Sequence, residues 1–227
     1  MNLIAVLSLT AICSLSIYLA SEIFPLHEPD SSGYISFHPS RTSFYPAIIQ
    51  LTMSAFDSEY AIVAIHITVY LISFAWLMWS VQNVFASYAV TLLLGLGIGL
   101  NVYMQAYHTV ILTESLAFSL CNLLIAMLVK GWLARGIMHA SAVGLVAGLM
   151  LALRPALASY VVILLVAVPL FNAGALSKTI RNLAAYLMSV IVVLSLESAI
   201  YFSHHSERQS LASLTLLGKG AILTTYV

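Results

Sequence analysis

The chain has 227 residues, 62% of them hydrophobic and only 7% charged, with a mean hydropathy of +1.03. Soluble domains carry about 25% charged residues, so this composition excludes a soluble enzyme domain, a disordered chain and a disulfide-stapled secreted module. Eight Lys and Arg balance eight Asp and Glu, which leaves no basic stripe to neutralise phosphates and argues against a nucleic-acid partner. What remains is an all-α polytopic membrane protein, read as one transmembrane domain over 1–227. Cys13 and Cys121 both lie in apolar runs and read as packing residues rather than as a metal or redox pair.

A spanning helix needs about 20 mostly apolar residues. Residues 3–24 meet this, and without the basic n-region of a signal peptide they read as an uncleaved first span. Pro25 ends it and an outer loop, 25–58, begins. Its first part, 25–45, is the most polar stretch of the chain, with several prolines and a turn-prone DSSG. Residues 46–56 are apolar but too short to cross, and Pro46 suits a first helical turn, so the expectation is an interfacial helix.

The second span is expected at 60–81, a turn at Gln82-Asn83, and the third span at 84–100, where GLGIGL lets helices approach closely. A polar, aromatic break at 101–110 precedes the fourth span, 111–129. Lys130, Arg135 and His139 mark the next loop. The apolar run 137–171 is interrupted only by Arg154-Pro155. As one helix it would measure roughly 50 Å against a bilayer of about 30 Å, so two short spans meeting at Arg154-Pro155 fit better. Lys178 and Arg181 bound a further loop before the last span, 182–202, giving about seven in all. The tail opens with HHSERQ and closes on an apolar stretch that reaches Val227 without a flanking charge, which leaves truncation after 227 open.

With a cytoplasmic N-terminus, Lys130, Arg135, Lys178 and Arg181 lie inside, while Arg41, Arg154, Arg208 and Lys219 lie outside. That balance does not set the orientation. The acids are one-sided: Glu22, Glu28, Asp30, Asp57, Glu59, Glu114, Glu197 and Glu207 all fall on or near the outer face. Ionisable chemistry therefore collects at one membrane surface.

Asp30, in EPDSSGY, is a candidate general base or cation ligand at that surface; the alternative is a solvated aspartate starting an Asx-turn. Glu114 lies near the outer end of the fourth span, where an ionisable group is costly and commonly faces a wet cavity. An acid in a first helical turn is also favoured simply by the helix dipole. Arg154 either holds a phosphate with its planar fork or snorkels to the interface. His204, His205, Arg208 and Lys219 form a basic cluster able to hold an anionic head group, or to rest on lipid phosphates. His66, inside the second span, reads as a packing histidine. The chain has no phosphate-binding glycine loop, no His-Glu-x-x-His and no Gly-x-Ser-x-Gly.

Four segments make the chain resemble the GT-C glycosyltransferases that use polyprenyl-phosphate-linked sugars, among them the protein O-mannosyltransferases and the lipid A aminoarabinose transferases. PDSSGY is similar to an Asp-x-x-x-Tyr loop, with Asp30 and Tyr34 matching. RTSFYPAIIQL, beginning at Arg41, is similar to an Arg-x-Pro-Gly-Tyr-Pro segment leading into an interfacial helix. TESLAFSLCNLL is similar to the acidic start of a fourth span, and AGLMLALRPAL to a Gly-rich span ending in Arg-Pro. The chain departs from the pattern in Pro29, which separates Glu28 from Asp30, and in Thr42-Ser43-Phe44 before Tyr45-Pro46.

The resemblance implies a transferase at the outer, extracytoplasmic face of a cell-envelope membrane. Asp30 would be its catalytic carboxylate, or in some branches the ligand of a divalent cation. Tyr34, Arg41, Glu114 and Arg154 would line the donor cavity, and His204 to Lys219 would help to hold the donor phosphate. Its partners would be a polyprenyl-phosphate-sugar donor and membrane lipids. The competing readings are a transporter or lipid flippase, for which broken helices and repeats at the midplane are typical, and a non-catalytic membrane subunit. Short loops without a retention signal point to a bacterial plasma membrane.

Overall fold

A computed structural model describes residues 3–21, 24–171 and 176–205, and among them every regular element is helical. In chain order these are α1 (Leu3–Ala20), α2 (Ser31–Ile35), α3 (Phe44–Phe56), α4 (Glu59–Phe85), α5 (Tyr88–Gly99) and α6 (Val102–Ala106). They continue with α7 (Glu114–Val129), α8 (Trp132–Arg135), α9 (Ile137–Leu153), α10 (Ala158–Phe171) and α11 (Leu176–His204). Of these, α1, α4 and α11 are long and apolar enough to cross a bilayer. The apolar helices α5, α7, α9 and α10 are shorter, from 12 to 17 residues, or about 18–26 Å.

The burial pattern is inverted relative to a soluble protein. On α11, Asn182, Tyr186 and Glu197 are buried while Ile191 and Leu196 are about half exposed, at 53% and 52%. Outward-facing leucine and isoleucine with polar groups turned inward is what a hydrocarbon solvent selects.

Local chemistry explains the boundaries, several of which move from those expected. The second span does not turn at Gln82-Asn83: α4 continues to Phe85 and ends where Ala86 adopts a left-handed conformation, φ 49°. Ser87 then caps α5 by accepting from the Val90 N–H at 3.4 Å. The helix expected from 111 begins at Glu114, after the Ile111 N–H has been taken by the Leu26 carbonyl at 3.0 Å. Lys178 and Arg181 lie within α11 instead of in a loop before it, consistent with the high helix propensity of both residues. The break at Arg154-Pro155 is as expected. A residue before proline is pushed out of the α region; Arg154 is extended (φ −145°, ψ 98°) and Pro155–Leu157 make one 3-10 turn.

Three apolar clusters hold the helices together. Val6, Leu9, Cys13 and Ile17 of α1 pack on Tyr70, Phe74 and Leu77 of α4. Met127, Val143, Met150, Val161 and Tyr186 join α7, α9, α10 and α11. Tyr45, Ile49, Ile62, Ile111, Leu116 and Leu153 form the third cluster beneath α3. Within the second cluster, a Cβ at Gly148 would lie 2.9 Å from Val193 Cβ, and one at Gly144 would press on the Tyr186 carbonyl oxygen. Missing side chains thus let α9 and α11 lie backbone to backbone, running parallel.

Parallel packing also joins α4 to α7, where Asn122 donates to Ser73 Oγ at 3.4 Å and Lys130 Nζ lies over the Trp76 and Trp79 rings at 5.6 and 5.0 Å. The result gathers the ends of α1, α9 and α11 and the starts of α4 and α7 at one end of the molecule.

Candidate functional site

That end is stapled together by its loops. The Leu26 N–H donates to the Thr109 carbonyl at 2.9 Å, completing a short parallel bridge with the 109–111 segment. His27 Nε2 meets Glu59 Oε2 at 2.9 Å, tying the same loop to the start of α4. The chain then turns at Ser31, whose hydroxyl accepts from the Glu28 N–H at 3.0 Å.

Asp30 sits before α2 but does not cap it. Its Oδ1 instead accepts from Arg41 Nη2 at 2.5 Å. The Arg41 guanidinium also lies 5.0 Å from the Tyr34 ring centroid, a cation–π contact. Tyr34 meets Tyr45 edge to face at 5.2 Å, and Tyr45 Oη is 3.2 Å from His66 Nε2.

The segment that carries Arg41 is held from two sides. Thr42 Oγ1 donates to the Leu153 carbonyl at 3.2 Å, beside the end of α9. The Ser43 N–H donates to Glu197 Oε1 at 3.1 Å and its hydroxyl to the Glu197 carbonyl at 2.7 Å. One turn on, Tyr201 Oη donates to the Pro39 carbonyl at 3.1 Å, and His204 stacks on Phe37 at 4.0 Å. One face of α11 therefore clamps residues 37–43.

Arg154 and Glu114 form the second ion pair, Nη1 to Oε1. Glu114 stands in the first turn of α7, where the helix dipole favours a carboxylate. A polar cavity of about 240 Å³ is lined by Asp30, Tyr34, Arg41, Thr42, Glu114 and Arg154, among others. A larger cavity of about 560 Å³ shares Glu114 and Arg154 with the first and is otherwise walled by Tyr107, Ala117, Phe118, Cys121, Leu157 and Tyr160. A third, of about 360 Å³, opens towards Glu28, Pro29 and Tyr107 and shares Asp30 and Glu114 with the first.

Five of the residues singled out from sequence thus converge: Asp30, Tyr34, Arg41, Glu114 and Arg154. His204 and His205 are not among the lining residues; both pack on Phe37, within the clamp. Arg208 and Lys219 lie outside the described residues. Among the described residues, no cluster of three or more His, Cys, Asp or Glu side chains is placed to hold a metal ion, and Asp30 itself is engaged by the Arg41 guanidinium.

Sequence reading missed the clamp and the buried His108, while His66, read as a packing histidine, is indeed buried. Glu197 is 2% exposed within an apolar helix, and a carboxylate at that depth was the available signal. His108 is fully buried, with Nδ1 2.7 Å from Ser115 Oγ and its ring 4.0 Å from Tyr70. Burial first, and the neighbouring His66 second, push its pKa down to about 3. Burial likewise drives the Tyr45 phenol well above its usual range, helped by Tyr34 and Glu114. Both rings are therefore neutral at neutral pH.

No protein-family model, curated protein or solved structure matches this chain.

Proposed function

We propose that the chain is a multi-pass membrane glycosyltransferase, which moves a sugar from a polyprenyl-phosphate-linked donor to an acceptor hydroxyl at the outer membrane face. In this reading α1, α4, α5, α7, α9, α10 and α11 cross the membrane, which is a bacterial plasma membrane, and α3 lies along its surface. The observation that carries it is the convergence of two carboxylates and two guanidinium groups on one polar cavity, beside a larger cavity with aromatic and aliphatic walls. Paired arginines suit a phosphate, and the apolar walls suit the chain that carries it.

The chemistry assigns each group a task. Asp30 takes the proton of the acceptor hydroxyl, using the carboxylate that Arg41 holds in place. The acceptor oxygen attacks the anomeric carbon. The bond from that carbon to the phosphate oxygen breaks, and its electron pair leaves with the polyprenyl phosphate. Arg154 and Arg41 offset the charge that develops there, and in-line displacement inverts the anomeric configuration.

Asp30→Asn keeps an oxygen for Arg41 but cannot take a proton. It is expected to insert normally and to lose about 100-fold or more in turnover. The measurement is release of polyprenyl phosphate from a panel of polyprenyl-phosphate sugars, with the protein in nanodiscs. Undiminished release would remove Asp30 from the chemistry.

A further inference from the structure

Every charged group around the polar cavity is already paired with one of opposite sign. Arg41 is held by Asp30 and Arg154 by Glu114. A guanidinium already neutralised by a carboxylate attracts an incoming anion less, so an anionic ligand has to compete with that carboxylate. The Glu114–Arg154 pair is the one placed to matter. Both residues line the polar cavity and the larger apolar one, so the pair stands as a partition between them. Arg154 is the more open partner, its side chain 41% exposed against 20% for Glu114.

We propose that the Glu114 carboxylate is an internal stand-in for the ligand's phosphate, and that a phosphate-headed amphiphile binds by exchange, displacing Glu114 from Arg154 while its apolar chain enters the cavity walled by Phe118, Cys121, Leu157 and Tyr160. This rests on the function proposed above and adds the order of events at its donor site. Glu114 sets a threshold: an anion without a chain gains too little to displace it, and a chain without an anion has no means to open the partition. The displaced carboxylate stays anchored in the first turn of α7, where the helix dipole still favours it.

Cys121 supplies the readout, because it lines the apolar cavity and is half-buried, whereas Cys13 is fully buried. Alkylation of Cys121 by N-ethylmaleimide is followed by intact-protein mass spectrometry in phosphatidylcholine nanodiscs. The ligands are farnesyl phosphate, farnesol and inorganic phosphate, and the proteins are wild type, Glu114→Gln and Arg154→Ala. A thermal melt of each variant checks that it is folded. Farnesyl phosphate alone is expected to protect Cys121 in the wild type. Glu114→Gln, which keeps the shape but not the charge, is expected to be protected at about tenfold lower concentration, and Arg154→Ala not at all.

Protection of Glu114→Gln only at the wild-type concentration or above would overturn the exchange while leaving the donor site standing. Protection by farnesol or inorganic phosphate alone, equal protection of Arg154→Ala, or no protection of the wild type would overturn both.

Discussion

At the scale of single residues, the site joins one pair that is local in the chain and one that is remote. Asp30 and Arg41 are neighbours in one loop, and a carboxylate followed by an arginine and tyrosines is visible as a polar, aromatic cluster. Glu114 opens α7, whereas Arg154 follows the end of α9. Each is recognisable as an ionisable group near a helix end, but their pairing depends on how α7 and α9 are packed, which no local pattern encodes. Glu197 was legible only as a misplaced charge; its partner, the Ser43 N–H at 3.1 Å, comes from the far end of the chain. The buried His108 carries a pH dependence with a definite sign. The unfolded chain takes up its proton near the ordinary value of 6.5, while the folded protein stays neutral down to about 3. Acid therefore favours unfolding. His108's contribution to stability is fully present above pH 6.5 and is lost by up to about 1.4 kcal/mol per pH unit as the pH falls towards 3. The thermal midpoint in detergent is expected to drop between pH 7 and 5. His108→Gln, which removes the titrating ring, is expected to flatten that slope; an identical slope would show that His108 does not titrate between the two states.

At the scale of helices, proline and glycine do the positioning. Pro155 forces Arg154 into an extended conformation, ends α9 and turns the arginine into the cavity wall. This break is legible because the effect of proline on its predecessor is local. The boundary at Ala86 was not, since alanine carries no turn signal and Gln82-Asn83, four residues earlier, does. The α9–α11 contact depends on Gly144 and Gly148. Gly144→Val would drive two methyl groups into the α11 backbone and is expected to cost about 1–3 kcal/mol, read as a lower thermal midpoint. Gly97→Ala is the control, because nothing lies within 4 Å of its Cβ position. It is expected to leave the midpoint unchanged or slightly raised, and equal losses in both variants would argue against close packing at Gly144.

At the scale of the whole molecule, one end gathers the ion pairs and the polar cavities beside them, and the other carries Lys130 over its two tryptophans. Composition pointed to the membrane class, because a 7% charged chain has little polar surface for water, and three long apolar helices are compatible with that class. The number of crossings was less legible, since α5 has only 12 residues and hydropathy counts length rather than packing. If α5 crosses, Ser36 and Met138 lie on opposite faces. Cysteines introduced at those positions in a Cys121→Ala background are then expected to react with an impermeant maleimide from opposite sides of sealed vesicles. Labelling of both from the same side would mean that α5 does not span. The central assignment is a phosphate-linked lipid at Arg154, and it is tested most directly by mass spectrometry of the lipids that co-purify with the wild type and with Arg154→Ala. Enrichment of a polyprenyl phosphate or its sugar conjugate with the wild type, lost from the variant, is the expected result. Bulk phospholipid alone in both samples would contradict it.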